Sequence, residues 1–191
     1  MTAETSRLRE GAASFPLKHK LLRFTWRITW LIFGSWTPVQ LRFWRIFLLR
    51  FFGAKIGSRS DVRKGAKVWF PPNLTMGENS LVGPGAEIYN MAPITIGRNC
   101  IISQGAFLCG GTHDVDDPMF TLITKPIVIE DDAWIAADAF VGPGGIVGRG
   151  AVLGARAVTS SRLAPWTIYA GNPARPIRER RWRVNEPELG Q

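Results

Sequence analysis

A six-residue repeat in the second half of the chain constrains the fold more than any other feature. A branched aliphatic residue recurs at every sixth position, at Ile129, Ile135, Val141, Val147 and Leu153, and glycine follows three of them, at Gly142, Gly148 and Gly154. An interval of six fits neither the 3.6-residue period of a helix nor the alternation of one long strand, but it is typical of a solenoid in which short strands alternate with turns. Because one such unit cannot bury its own apolar face, the units are expected to stack as coils around a continuous core.

The same interval recurs upstream in three shorter runs. They comprise Ile56, Val62, Val68 and Leu74, then Met76, Val82 and Ile88, then Ile96, Ile102 and Leu108. The interval shifts by two residues between runs, and we expect the extra residues to be looped out at a corner, since a shift within a strand would turn its apolar face outward. A longer interruption separates Leu108 from Ile129 and contains the sequence GTHD at residues 111–114. Loops on a rigid scaffold frequently carry function, so that this loop is the first candidate site.

The repeats, the histidine-bearing loop and the motif AGNPARPIR at residues 170–178 together resemble the hexapeptide-repeat acyltransferases, over residues 56–178. The colanic acid biosynthesis acetyltransferase branch is the most similar, through FLLRFFGAKIG at 47–57, ISQGAFLCGGTHD at 102–114 and TKPIVIEDDAW at 124–134. The resemblance implies an all-β solenoid, a left-handed parallel β-helix with three hexapeptides per coil, acetyl-CoA as co-substrate and a homotrimer. The left hand rests on the resemblance alone, because parallel crossovers are in general right-handed.

Composition divides the chain into three segments. We assign residues 1–53 to a polar tail and a basic, aromatic helical cap, 54–170 to the β-helix with a catalytic loop at 109–126, and 171–191 to an exit motif with a short C-terminal helix or basic tail. The net charge is +9. Residues 1–65 hold thirteen Lys or Arg against three Asp or Glu, whereas residues 66–171 hold six against nine. The basic character is therefore confined mainly to the N-terminal segment.

Two short amphipathic helices are predicted in the N-terminal segment, over about 17–33 and 38–52. One alternative is a cap on the open end of the solenoid, which repeat proteins need. The other is a cap that also contacts an anionic membrane, because four tryptophans stand among arginines and lysines there. Nucleic-acid binding is not predicted.

The longest uncharged run, 28–41, is too short to span a bilayer. We expect a cytoplasmic protein, free or peripheral on the inner face of the membrane, because residues 1–14 lack a secretory signal and two cysteines give no disulfide framework.

His113 is the predicted catalytic residue. O-acetylation requires a base that takes the hydroxyl proton while oxygen attacks the thioester, and an imidazole with its ordinary pKa of about 6.5 suits this task near neutrality. The chain has two histidines, and His19, beside Lys18 and Lys20, is expected to be a solvated helix residue. Asp114 is the orienting candidate for the imidazole, although Asp116, Asp117 or a backbone carbonyl would serve as well.

The resemblance also implies the contacts of the acyl donor, which in related galactoside acetyltransferases lies between neighbouring subunits. These contacts fall on Trp134, Ala137, Ala155, Ser160, Ser161, Arg175 and Arg178. Alanine at two of these positions would let the pantetheine arm approach the backbone, where the N–H of Ala137 could face the developing oxyanion, and guanidinium groups suit the nucleotide phosphates. The serine pair departs from the frequent Thr-Lys of the family. Trp134 has the alternative role of packing against a neighbour.

The resemblance also implies acceptor contacts one coil ahead of the histidine, and the candidates there are Tyr89 and Asn90. Asparagine at a corner is also a common turn former, so that a structural role for Asn90 stays open. We predict an O-acetyltransferase for a sugar hydroxyl, with an acceptor such as an exopolysaccharide repeat-unit intermediate or glycolipid. A soluble small acceptor and a non-catalytic scaffold are the alternatives. No metal is predicted, because a zinc carbonic anhydrase of similar fold needs three histidine ligands and the solenoid has one.

Overall fold

A computed structural model of the chain describes residues 15–182. The predicted segment 1–14 and the end of the basic tail, 183–191, lie outside these residues. Two helices come first: α1 spans Leu17–Phe33 and α2 spans Arg42–Phe51, preceded by a 3-10 turn at Val39–Leu41. Twenty short strands follow. Neither described helix is long and apolar enough to cross a bilayer.

Most of the strands form three parallel sheets, one for each face of a three-sided prism, and the chain visits the sheets in the order A, B, C in each coil. Sheet A contains β1 (Lys55–Ile56), β4 (Leu74–Met76), β7 (Ile94–Ile96), β12 (Ile127–Ile129), β15 (Ile146–Val147) and β18 (Arg162–Leu163). Sheet B contains β2 (Asp61–Val62), β5 (Leu81–Val82), β8 (Ile101–Ile102), β13 (Trp134–Ile135), β16 (Val152–Leu153), β19 (Thr167–Ala170) and β20 (Arg175–Glu179). Sheet C contains β3 (Lys67–Val68), β6 (Glu87–Tyr89), β9 (Phe107–Cys109), β14 (Phe140–Val141) and β17 (Val158–Thr159). The parallel β-solenoid predicted from the repeat is confirmed.

The core consists of the residues that the six-residue interval singled out. Fully buried aliphatic residues stack in register from coil to coil, as Val82 does on Ile102 and Ile102 on Ile135. Cys100 also faces inward, and burial raises the pKa of its thiol to about 11. Both cysteines are free. Burial of one inward column per sheet supplies the hydrophobic stabilisation that a single coil cannot have.

All the insertions lie at one edge of the prism, between sheets C and A. In the first coil the extra residues form a 3-10 turn at Pro71–Asn73. In the second coil they form the corner 90–93, and in the third coil the long loop leaves the same edge between β9 and β12. The strands before and after each insertion keep their register, as shown by the pairing of Met76 with Ile56 and Ile96. The expectation that the two-residue shifts are absorbed at a corner is therefore confirmed.

The two helices close the first coil. The indole N–H groups of Trp26 and Trp30, both buried, donate to the carbonyls of Val68 (2.6 Å) and Ala66 (2.9 Å). Arg45 is fully buried and donates to Val62 O at 2.6 Å. The helices thus form the predicted cap.

His19 differs from its expectation as a solvated residue. It is half-buried, and its ring packs against Phe70 with 4.0 Å between the ring centroids. Burial, and secondarily the charge of Arg23, lower its pKa. The reason is that α1 lies across the first coil with this side of the helix facing the solenoid.

The C-terminal end also differs from the expected helix or tail. Residues 175–179 form β20, which pairs antiparallel with β19. Gly171, with a φ of +93°, lies in the turn between the two strands, a conformation that glycine adopts without strain. The returning strand gives hydrogen-bond partners to an edge that would otherwise be open.

Candidate active site

A β-hairpin at the edge between sheets C and A carries the candidate base. Strand β10 (Gly111–His113) pairs antiparallel with β11 (Leu122–Thr124), and His113 stands opposite Leu122. Where the hairpin joins the solenoid, the carbonyl of Gly110 accepts the N–H of Lys125 at 3.0 Å. The N–H of Gly110 donates to Tyr89 O at 2.9 Å. The hairpin is therefore anchored to the second coil, while the described hydrogen bonds of residues 113–121 stay within the hairpin.

The imidazole of His113 is held by one backbone carbonyl. Its Nδ1 lies 2.6 Å from Phe120 O. A carbonyl only accepts hydrogen bonds, so that Nδ1 carries the proton and Nε2 of the neutral ring has a free lone pair. The side chain is exposed, which leaves Nε2 accessible to a substrate hydroxyl.

Asp114 does not orient the ring. Its carboxylate accepts the N–H of Asp116 at 3.1 Å, within its own turn. Among the alternatives that the sequence left open, the structure selects the backbone carbonyl, because the hairpin turn brings residue 120 back over residue 113.

Asp117 organises the turn that presents this carbonyl, a role that sequence reasoning did not assign. Its carboxylate accepts the N–H of Met119 at 2.9 Å and both the N–H and the hydroxyl of Thr121. The Thr121 hydroxyl bond and then the Met119 bond lower the pKa of Asp117. Phe120, which lies between Met119 and Thr121, has a φ of +50°, a conformation that is unfavourable for a bulky residue. The sequence signal was an aspartate directly before a proline, a common turn former.

The small residues predicted for the acyl donor stack at a different edge, between sheets B and C. Ala137 follows β13 and Ala155 follows β16, and the N–H of Arg156 donates to Ala137 O at 2.9 Å. Ala155 is exposed and Ala137 half-buried. The N–H of Ala137 donates to no acceptor within residues 15–182. This edge therefore offers a backbone surface that a slender ligand can approach.

The remaining donor residues lie on three further parts of the solenoid. Ser160 and Ser161 are exposed after β17, at the edge between sheets C and A. Arg175 and Arg178 are exposed on β20. Trp134 projects from the outer side of sheet B, 42% exposed, with its indole N–H on Ser103 Oγ at 2.9 Å.

One chain alone does not bring the base and the small-residue edge together. The His113 hairpin leaves one edge of sheet C, and Ala137 and Ala155 occupy the other edge. The width of sheet C separates them.

The two acceptor candidates differ in availability. Tyr89 is half-buried on the outer side of β6. Asn90 is fully buried, and its amide is used within the corner: Oδ1 accepts the N–H of Phe70 at 2.9 Å, and Nδ2 donates to Phe70 O at 2.7 Å. The structure therefore gives Asn90 a turn-forming position without a solvent-accessible amide, and of the predicted pair only Tyr89 faces outward.

Among residues 15–182 there is no group of three His, Cys, Asp or Glu side chains arranged to hold a metal ion.

Comparison with known proteins gives the same fold and adds a family. The model of the hexapeptide repeat of succinyl-transferase matches residues 74–109. A putative colanic acid biosynthesis acetyltransferase of Escherichia coli K12 is 43% identical over 155 residues, which cover 81% of this chain and 85% of the relative. A Shigella flexneri protein of the same description matches equally well.

Solved structures extend the comparison. A hexapeptide-repeat acetyltransferase from Vibrio cholerae, solved with acetyl-CoA, is 26% identical with a TM-score of 0.80, covering 90% of this chain and 92% of the other. A galactoside acetyltransferase solved with coenzyme A, 22% identical with a TM-score of 0.79 over 94% and 92% of the two chains, shares the fold. These neighbours are left-handed β-helices, as the resemblance implied. The chain therefore belongs to the hexapeptide-repeat acetyltransferases, in the group of the putative colanic acid biosynthesis acetyltransferases.

Proposed function

We propose that this protein transfers an acetyl group from acetyl-CoA to a sugar hydroxyl of an exopolysaccharide repeat-unit intermediate, with His113 as general base. The observation that carries the proposal is the bond from His113 Nδ1 to Phe120 O, which leaves Nε2 as a fixed proton acceptor on an exposed hairpin. The acetyl donor is inferred from the relatives solved with acetyl-CoA or coenzyme A. The class of acceptor is inferred from the name of the 43% identical relatives.

In the proposed reaction Nε2 of His113 removes the hydroxyl proton as the sugar oxygen bonds to the thioester carbon. The N–H of Ala137, unpaired within the described residues, would donate to the oxyanion of the tetrahedral intermediate. When the carbon–sulfur bond breaks, the imidazolium returns its proton to the thiolate of coenzyme A. The exposed guanidinium groups of Arg175 and Arg178 would bind the donor phosphates, and Ser160 and Ser161 would line the same donor site.

The assay for this proposal is release of free thiol from acetyl-CoA, which is expected to depend on an added sugar acceptor. A non-catalytic scaffold would release no thiol with any sugar. Screening sugars, nucleotide sugars and lipid-linked sugars with radiolabelled acetyl-CoA then identifies the acceptor.

The separation of the base from Ala137 and Ala155 leads us to propose a homotrimer whose active sites lie between subunits. A second observation supports an interface on sheet B. Its outer side is apolar along successive coils, and both Ile101 (45% exposed) and Trp134 (42% exposed) are uncovered in the single chain. Burial of such a column by a neighbouring copy is favourable. Trp134 would then pack at the interface or form a wall of the acetyl site.

For the assembly we expect sedimentation of the full chain as a trimer at micromolar concentration, and dissociation when Ile101 is replaced by glutamate, because the interface would bury an unpaired charge. Thr95→Glu places the same charge on the outer side of sheet A and is expected to leave the trimer intact. A monomeric wild-type protein would contradict both the assembly and the shared site.

We further propose that the cap contacts an anionic membrane and thereby reaches a lipid-held acceptor. The face of α1 opposite Trp26 and Trp30 is apolar and exposed, and comprises Leu17, Leu21, Phe24, Ile28, Leu31 and Ile32. On α2, Phe43, Phe47 and Phe51 are likewise apolar and exposed. The lysines and arginines of α1 flank it, which suits insertion to headgroup depth. Arg45 is buried and Arg50 donates to Ile56 O at 2.6 Å, so that Arg42 is the α2 arginine left for lipid.

In a flotation experiment we expect the full chain to rise with anionic liposomes at low salt and to do so less at high salt, because each basic residue near the surface contributes about 1 kcal/mol. The double substitution of Phe24 and Phe43 by glutamate should abolish flotation, since both side chains are exposed and contribute to the apolar surface. The control is glutamate at Thr75 and Thr95, outside the cap. If the wild-type protein stays in solution at low salt, the helices act as a cap alone, and the acceptor is not delivered by this surface.

A further inference from the structure

A groove of about 700 Å³ runs along the line where helix α1 packs on the first coil of the solenoid. Its solenoid side is lined by residues of the first two coils, among them Lys67, Trp69 and Glu87. The opposite wall is α1. Since the apolar face of α1 points away from the solenoid, the groove opens beside the surface proposed to meet the membrane.

Positive charge is concentrated in this groove. Lys20, Arg23 and Arg27 follow one another along α1 at intervals of three and four residues, and therefore share a side of the helix. Within residues 15–182, none of the three lies within salt-bridge distance of a carboxylate. Lys67 adds a fourth cation from β3, and it is paired with Glu87 at 3.2 Å. The groove therefore carries a clear excess of cations over anions.

A row of aromatic side chains connects the groove with the His113 hairpin. Trp69 contacts Tyr89 with 5.6 Å between ring centroids, and Tyr89 contacts Phe107 with 6.3 Å between them. Phe107 begins β9, the strand that leads into the hairpin. Because parallel strands lie about 4.8 Å apart, the groove floor and the base are roughly 10 Å apart along the solenoid axis. That distance accommodates one or two sugar rings.

We propose that this groove binds the diphosphate through which the acceptor sugar is attached to its carrier, so that the sugar lies along Tyr89 and Phe107 toward His113. This inference rests on the proposed function for the identity of the acceptor. Guanidinium and ammonium groups bind phosphate oxygens through charge-assisted hydrogen bonds, and the three cations of α1, which have no carboxylate partner within residues 15–182, match a diphosphate better than a neutral sugar. A hydroxyl on the first or second sugar from the diphosphate matches this spacing along the axis. The carrier is either a polyisoprenyl lipid or a nucleotide, which share this chemistry.

The test is equilibrium binding of radiolabelled inorganic pyrophosphate to the full chain, with saturating coenzyme A present to occupy the donor site. The double variant Lys20→Gln/Arg27→Gln is expected to lose at least about tenfold in affinity, because two charge-assisted contacts are removed. Lys55→Gln/Arg59→Gln makes the same change in charge outside the groove and should bind as the wild type does. Equal binding by the groove variant and the wild type would overturn the proposal.

Competition then distinguishes the two carriers. Displacement of pyrophosphate by farnesyl diphosphate rather than by UDP-glucose would support a lipid carrier, and the reverse would support a nucleotide. Displacement by neither would show that the groove does not accept a substituted diphosphate and would overturn the proposal. His113→Ala should bind pyrophosphate normally, so that failure of the groove and failure of the catalytic proposal are separate results.

Discussion

Replacement of His113 by alanine is expected to lower kcat by about 10² to 10⁴, the usual contribution of a general base. The KM for acetyl-CoA should change by no more than about twofold, because most of the proposed donor contacts lie at the edge between sheets B and C and on β20. Ser160 and Ser161 share the edge of the hairpin but lie two coils beyond it. Thiol release from acetyl-CoA in the presence of a sugar acceptor measures both quantities. Loss of rate without loss of donor binding would identify a group that acts in the transition state.

The matched control is Asp116→Asn in the same hairpin. Asp116 is exposed, and the described contacts that hold the imidazole involve Phe120 and Asp117 instead. We expect this variant to keep most of its rate. If His113→Ala also retained most of its rate, the histidine would be structural and the proposed mechanism would be wrong.

Replacement of Arg45 by alanine is expected to cost about 3–5 kcal/mol of the free energy of unfolding, as is typical when one partner of a buried charged network is removed. Its guanidinium is fully buried and donates to the carbonyls of Val62 (2.6 Å), Pro38 (2.8 Å) and Thr37 (3.1 Å), and to the Asp61 carboxylate at 3.4 Å. The variant would leave the carbonyls of Val62 and Thr37 without their donor at the junction of cap and solenoid, whereas Pro38 O would keep the N–H of Leu41. For a chain of this length the melting temperature should fall by roughly 6–20 °C, which calorimetry would measure.

Arg42→Ala provides the control for this prediction, because Arg42 lies on the same helix but is exposed, with its guanidinium over the Phe43 ring at 4.6 Å. We expect its melting temperature to stay within about 2 °C of the wild-type value. Equal destabilisation by both substitutions would indicate that the arginine network does not fasten the cap to the first coil.

Local periodicity was sufficient to predict the solenoid. The six-residue interval identified the inward residues of every sheet because each coil repeats the same burial requirement, and Val82, Ile102 and Ile135 are all fully buried. The interruption of that interval also located the hairpin that carries His113. In both cases the information lies in residues close together in the sequence, so that no tertiary contact was needed to find it.

The use of the individual polar side chains depended on contacts between distant segments. Arg45 lies in the basic N-terminal segment, but it bonds to Val62 and Asp61 in the first coil and is inaccessible to solvent. Asn90 was an acceptor candidate, but the previous coil brings Phe70 within reach of both ends of its amide. Arg178 was expected in a helix or tail, but it lies on a strand because β19 offered an unpaired edge.

The coil repeat, the helical cap and the loop with its histidine could be predicted from the sequence, because each follows from periodicity or composition within a few dozen residues. The folded structure was needed to find that a carbonyl orients His113, since the turn set by Asp117 brings the carbonyl of Phe120 to the ring. It also decided that the base and the small-residue edge of one chain lie on opposite sides of sheet C. The coils stack because stacking buries the aliphatic columns, and this stacking places every corner residue at one of three edges of the prism. An edge exists only in the assembled prism, so that a single repeat does not reveal which residues share it.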